Sequence, residues 1–122
     1  MIEINGINIG EKFNSFSEYW TPKIVGELNG QYVKLAKLKG EFVWHNHKEE
    51  DELFLVHKGK LQIKMKDKIV NLDQGEFFIV PKGVDHSPYA ENECHVILFE
   101  PKETAHTGNI KHELTVKNQE WI

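Results

Sequence analysis

The stretch Trp44-His45-Asn46-His47-Lys48-Glu49-Glu50-Asp51-Glu52 carries the side chains best suited to chemistry. His45 and His47 stand two positions apart, and Glu52 opens the apolar run Leu53-Phe54-Leu55-Val56. His86 follows the turn-forming Pro81-Lys82-Gly83 in otherwise strand-like sequence. Three imidazoles and a carboxylate suit first-row divalent ions such as iron, manganese, nickel, copper or zinc. A single cysteine, Cys94, leaves no thiolate set for a structural zinc site and no internal disulfide. A lone His-x-His among acidic residues is an ordinary solvated turn unless the backbone beneath it aims both rings at one point.

A strand does so. Successive side chains of a strand alternate faces, which sets His45 and His47 on one side with Cα atoms roughly 6.5–7 Å apart. A helix would splay them by about 200°. Gly40-Glu41-Phe42-Val43-Trp44 is rich in aromatic and β-branched residues and reads as strand. The same alternation turns Phe42 and Trp44 away from the histidines. With the outer side of Glu52–Val56 also apolar, that second face needs a cover, and a symmetric partner subunit is expected to supply it.

The rest of the chain follows this β pattern. Lys23–Leu28 and Gln31–Leu38 flank Asn29-Gly30, a two-residue hairpin signal because both positions tolerate positive φ. Lys60–Lys66 alternates polar and apolar residues, and a turn at Asp67-Lys68 would set Met65 opposite Val70 and Ile63 opposite Leu72. Turns are expected at Asp73-Gln74-Gly75 and Pro81–Gly83, a strand through Asp85-His86-Ser87, a loop at Glu91-Asn92-Glu93, and a strand over His95–Phe99. About nine short strands at turn spacings near ten residues make an all-β sandwich or barrel. Residues 1–22 form an irregular amino-terminal segment, with Phe13, Phe16 and Trp20 spaced for one amphipathic turn lying on the body. Residues 23–101 form the barrel and 102–122 a carboxy-terminal extension, in which Thr104–Asn109 is loop-like and Trp121-Ile122 docks on the body or on a partner.

Composition narrows the function classes. A chain of 122 residues is sized for one domain. A net charge of −4 with scattered lysines offers no nucleic-acid surface. Met1-Ile2-Glu3-Ile4-Asn5 does not read as a leader, and no apolar run approaches membrane-spanning length, so a cytoplasmic location without membrane association is expected. Cys94, beside an apolar run, reads as a small buried residue.

The spacing resembles the cupin superfamily. Gly40, His45, His47, Glu52 and Gly59 fall in the order of its first motif, and Gly75, Pro81, Gly83 and His86 in that of its second. The resemblance covers Leu35 to Phe99. Two positions depart from the usual pattern: four residues in place of five separate Gly40 from His45, and Ala90 stands where asparagine often closes the second motif. Neither touches a ligand position. The resemblance implies a double-stranded β-helix, or jelly-roll, barrel with one divalent transition ion held by His45, His47, Glu52 and His86. It is closest in style to small one-domain cupins of the mannose-6-phosphate-isomerase-like kind. Such a site implies a metalloenzyme acting on a small sugar-like, hydroxy-acid or keto-acid molecule by isomerase, epimerase, lyase or dioxygenase chemistry, or else a non-catalytic binding module. A metal that only pins strands together is a third, weaker possibility.

Other residues compete with or could support this set. Glu50 and Asp51 are rivals for the carboxylate, but Glu52 is in phase with Phe54 and Val56 and points inward, leaving Glu49–Asp51 as a solvated acidic turn. His95 is in phase with Ile97 and Phe99 and is a candidate for lining the pocket as a supporting group or general base. His57, His106 and His112 read as exposed, and Tyr32 and Tyr89 as packed aromatics within possible reach of a ligand.

Overall fold

The computed structural model describes residues 5–103 and 119–122. The loop-like Thr104–Asn109, His106 and His112 lie outside them. After a short helix α1 (Ile9–Phe13) come β1 (Lys23–Leu28), β2 (Gln31–Glu41), β3 (Glu52–Lys58), β4 (Leu61–Met65), β5 (Ile69–Leu72), β6 (Phe77–Val80), β7 (His86–Pro101) and β8 (Glu120–Trp121). Among the described residues no helix is long and apolar enough to cross a membrane.

The long strand β7 organises the barrel. Its first half pairs antiparallel with β4, its second half with β3, and β2 runs beside both halves. The loop expected at Glu91–Glu93 is instead part of this strand. Leu38 pairs with Cys94 and Gly40 with Ala90, so three residues of β7 bulge against one of β2 and bend the sheet. Gly59 lies against this bend at φ 94°, where an added Cβ would come within 3.0 Å of the Glu93 carbonyl oxygen. The first hairpin closes as expected, with Leu28 opposite Gln31 and Asn29 and Gly30 at φ 50° and 77°.

The β4–β5 hairpin differs from expectation by two residues: Ile63 faces Val70 and Leu61 faces Leu72, with Met65 N–H bonded to the Lys68 carbonyl. The turn remains a tight two-residue one but falls at Lys66-Asp67, one residue earlier than the expected Asp67-Lys68. A shift of two keeps each side chain on its face, so both registers match apolar with apolar.

Two clusters hold the fold. Inside the barrel, Phe54, Val56, Leu61, Ile63, Val96 and Leu98 meet in an aliphatic core. Outside it, Phe13 and Phe16 of the amino-terminal segment close over Val25 and Leu35, joined by Ile122. Trp20 departs from the expected amphipathic turn: at φ 56° it swings to the barrel mouth, stacks on Phe42, and donates its indole N–H to the Lys39 carbonyl. Trp121-Ile122 docks on this body, with Ile122 N–H bonded to the Ile24 carbonyl and Trp121 edge-on to Tyr32.

Candidate metal centre

Glu52 begins β3 and points inward with Phe54 and Val56, all three buried. His86 begins β7. His45 lies beyond the end of β2 and is tied to His86 by a two-way bridge: each N–H bonds the other's carbonyl, at 3.0 and 2.9 Å. That bridge holds the two sequence motifs together. His47 is fixed by its carbonyl, which accepts from Gly83 N–H of the Pro81–Gly83 turn at 2.7 Å. Asp51 accepts from Lys82 N–H, so the acidic loop is tied to the same turn while Glu52 alone of the loop's carboxylates reaches the interior cluster.

The candidate ligand atoms of these four residues all lie within 4.8 Å of one another, a set that could hold a metal ion. Glu52 Oε1 is 3.3 Å from His47 Nε2 and 3.5 Å from His86 Nε2. None of these three buried atoms has a hydrogen-bond partner. Buried polar atoms cost free energy when unpaired, and donors about 2.1 Å from one ion stand about 3–3.4 Å apart. The residues therefore fit a divalent cation. His45 and His86 each turn Nδ1 to a backbone carbonyl, Val43 and Val84 respectively, both at 2.9 Å. With Nδ1–H donated there, Nε2 carries the free lone pair.

Electrostatics favours the ligating forms. Burial, helped by repulsion from His86, pulls the His45 pKa down to about 4, so the ring is neutral near pH 7. Burial would push the Glu52 carboxyl up, but its contacts with His47, His86 and Glu100 outweigh that and hold it below the usual carboxylate range.

Glu100 carries no motif that marks it in the sequence. It is fully buried in the barrel, close to Glu52, and bonded at 2.9 Å to the equally buried Lys34. Burial first, and the adjacent Glu52 charge second, push its carboxyl well above the usual range. A signal existed: Glu100 continues the inward phase of Val96 and Leu98, one residue past the expected strand end.

Beside His45 and Glu52 opens a cavity of about 30 Å³ whose other walls are apolar, with Trp20, Ala36, Phe42 and Phe54 among them. Phe42 does not face away from the histidines as expected. It is buried and edge-on to His45 with ring centroids 5.6 Å apart, because β2 ends at Glu41 and strict alternation ends with it. Trp44 does face solvent.

His95 is on the opposite face from the one expected. It stacks on Phe13 with centroids 4.6 Å apart and bonds Glu93 at 2.6 Å, outside the barrel. Both faces of β7 are packed, so phase with Ile97 and Phe99 put it beneath α1. His57, exposed as expected, also stacks on Phe13, with ring centroids 5.4 Å apart. Tyr32 and Tyr89 lie under lysines, Lys102 and Lys64 among them, and neither borders the cavity.

Residues 31–108 match the family model described as a cupin domain. A cupin-2 domain containing protein from Shewanella frigidimarina is 44% identical, with a TM-score of 0.78 over 79% of this chain and 94% of that one. The Neisseria meningitidis protein NMB1881 is 31% identical at a TM-score of 0.74, over 80% of this chain and all of the other. The uncharacterized protein YdbB of Bacillus subtilis is 38% identical over 79 residues, which is 64% of this chain and 64% of that relative.

Proposed function

The chain belongs to the cupin domain family, and from that premise we propose that it is a mononuclear metalloenzyme acting on a small chelating molecule. His45, His47, Glu52 and His86 are the proposed ligands. The observation that carries this is the convergence of three buried, unpartnered atoms, His47 Nε2, His86 Nε2 and Glu52 Oε1, on one point. The ion, of the iron, manganese, nickel, copper or zinc group, would supply Lewis acidity or, if iron, dioxygen chemistry.

The chain's own residues do the positioning. Val43 and Val84 carbonyls lock two rings with Nε2 inward. Trp20, Phe42 and Phe54 give the cavity beside His45 and Glu52 apolar walls. Substrates of the hydroxy-acid or keto-acid type, two adjacent oxygens on a short carbon frame, suit these apolar walls better than a sugar, whose hydroxyls would find no partners there. The cavity of about 30 Å³ has room for a water or two and must widen to admit either molecule. Isomerase, lyase and dioxygenase reactions are all compatible with such a substrate.

One observation favours a second reading, a binding module without chemistry. Beyond the four proposed ligands, no acid or base borders the cavity among the described residues. A homodimer is proposed as the assembled form, and a cytoplasmic location agrees with the lone reduced Cys94.

The test is elemental analysis of protein purified without added metal, beside His47→Ala and Glu52→Ala. About one equivalent of a transition metal in the wild type, lost in both variants, supports the site. Wild-type protein that stays empty, and whose melting temperature is unmoved by added iron, manganese, nickel, copper or zinc, sinks it. Conversion of hydroxy or keto acids, under air and under nitrogen, then separates enzyme from binder.

A further inference from the structure

Among the described residues the interior of the barrel is largely apolar, and besides the proposed ligands and Ser87, whose hydroxyl donates to the Phe42 carbonyl, it holds one ion pair. In that pair Lys34 Nζ stands 2.9 Å from Glu100 Oε1, with the side chains 1% and 0% exposed. As a stabilising device it is a poor choice. Desolvating two charges costs several kcal/mol per ion, and well-packed apolar replacements are often as stable or more so. The geometry gives it another use.

Leu53 pairs with Phe99 across β3 and β7, so one step further along the ladder sets Glu52 against Glu100. Both side chains are buried on the inner face at opposed positions of the ladder, so the two carboxyl groups lie close enough for each to influence the other's protonation. Like groups directly opposite on a sheet repel when both are charged. Lys34, which pairs with Leu98 on the other side of β7, reaches diagonally to Glu100 and offsets the charge. Glu100 Oε2 has no conventional hydrogen-bond partner, which leaves Glu52 as its polar neighbour.

We propose that Lys34 and Glu100 are positioning residues for the metal centre: Glu100, anchored by Lys34, fixes the rotation of the Glu52 carboxylate so that Oε1 points at His47 and His86. This rests on the reading of those residues as ligands. A carboxylate at the end of a glutamate turns readily about its last torsion. Groups that orient a ligand in this way change metal affinity about 10–100-fold when removed.

The experiment uses full-length protein stripped with a chelator and titrated with cobalt(II), read by calorimetry and by visible absorption. Three variants separate positioning from bulk stability. Glu100→Gln keeps the side-chain length and spans the same two contacts. Glu100→Asp keeps the charge for Lys34 but withdraws from Glu52 by one methylene. The double variant Lys34→Met/Glu100→Leu removes the pair and fills its space. The expected result is cobalt affinity within about threefold of wild type for Glu100→Gln, with an unchanged spectrum. Glu100→Asp and the double variant should bind about 10–100-fold more weakly with altered absorption, while the metal-free double variant melts at or above the wild-type temperature.

Wild-type affinity and spectrum in Glu100→Asp would overturn the proposal, and so would a loss in Glu100→Gln as large as in Glu100→Asp. Should the double variant not fold, the contrast between the two single variants decides alone. Wild-type protein that takes up no cobalt, zinc or manganese overturns the metal reading and this proposal together. Normal wild-type uptake with indifferent variants overturns only the positioning role.

Discussion

The two faces of one sheet invert the usual sorting of residues. On the inner face of β2, β3 and β7 the chain buries Lys34, Glu52 and Glu100, close to three histidines. On the outer face it lines up Leu53, Phe99 and Ile79 in one cross-strand row and Leu55, Ile97 and Phe77 in the next. At the edge of these rows Phe77 is 59% exposed and Ile79 46%. Aliphatic packing explains neither end of this arrangement. Buried charge marks the place where the interior has a task other than cohesion, and exposed apolar rows mark the place where the exterior meets something.

The sharpest way to break the comparison is to remove one inner charge. Lys34→Met leaves Glu100 buried beside Glu52 without its cation. Breaking one side of a buried pair costs about 3–5 kcal/mol, and the ability of Glu100 to hold a proton puts this case near 3. Urea unfolding of the metal-free protein reads it. A loss below about 1 kcal/mol would mean that the inner charges are as idle as surface ones.

A second effect is smaller and has two opposing signs. Folded His45 resists protonation down to about 4, whereas the unfolded ring takes a proton near 6.5. The unfolded state thus binds more protons between those values, and stability falls as pH drops through that window. Glu100 acts the other way: its folded carboxyl keeps a proton above the ordinary 4.5, so its contribution is lost as pH rises. In metal-free protein the two slopes oppose each other, each at most about 1.4 kcal/mol per pH unit. Glu100→Gln removes one of them. Its stability should climb more steeply than wild type between pH 4.5 and 6.5, and parallel curves from urea melts at several pH values would contradict the assignment.

The inner site was the more legible of the two regions, for a physical reason. Histidines two apart, the glutamate that opens β3 and the Pro81–Gly83 turn are local features, and residue types alone announce them. The structure gathers the candidate ligand atoms of His45, His47, Glu52 and His86, the set that the family resemblance implied, within 4.8 Å of one another. What failed depended on which side of a strand is inside. His95 had the right phase, but β7 is packed on both faces, so alternation could not say that its face lies under Phe13. Phe42 was misplaced because alternation was carried past the end of β2. The β4–β5 register could not be chosen, since either pairing is apolar. Lys34 and Glu100 are not legible from the sequence because a charge within a strand reads as solvent-facing until the barrel closes around it.

The outer rows supply the mildest test, and the one that separates a surface from an interface. The cover expected from a partner subunit is needed least near Leu35, where Phe13 and Phe16 already lie over the sheet, and most at β6, where no element of the described residues does. An exposed apolar residue changed to lysine alters monomer stability by about 0.5 kcal/mol or less. Phe77→Lys combined with Ile79→Lys should therefore leave the urea midpoint at low protein concentration almost unchanged. The same pair of charges set in a twofold interface would face their own copies, and like charges so placed cost several kcal/mol. Sedimentation of wild type and variant over a range of concentrations then gives the answer. Dimeric wild type and monomeric variant would assign β3 and β6 to self-association. Monomeric wild type at micromolar concentration would remove the partner subunit as the cover and leave the apolar rows as a free surface.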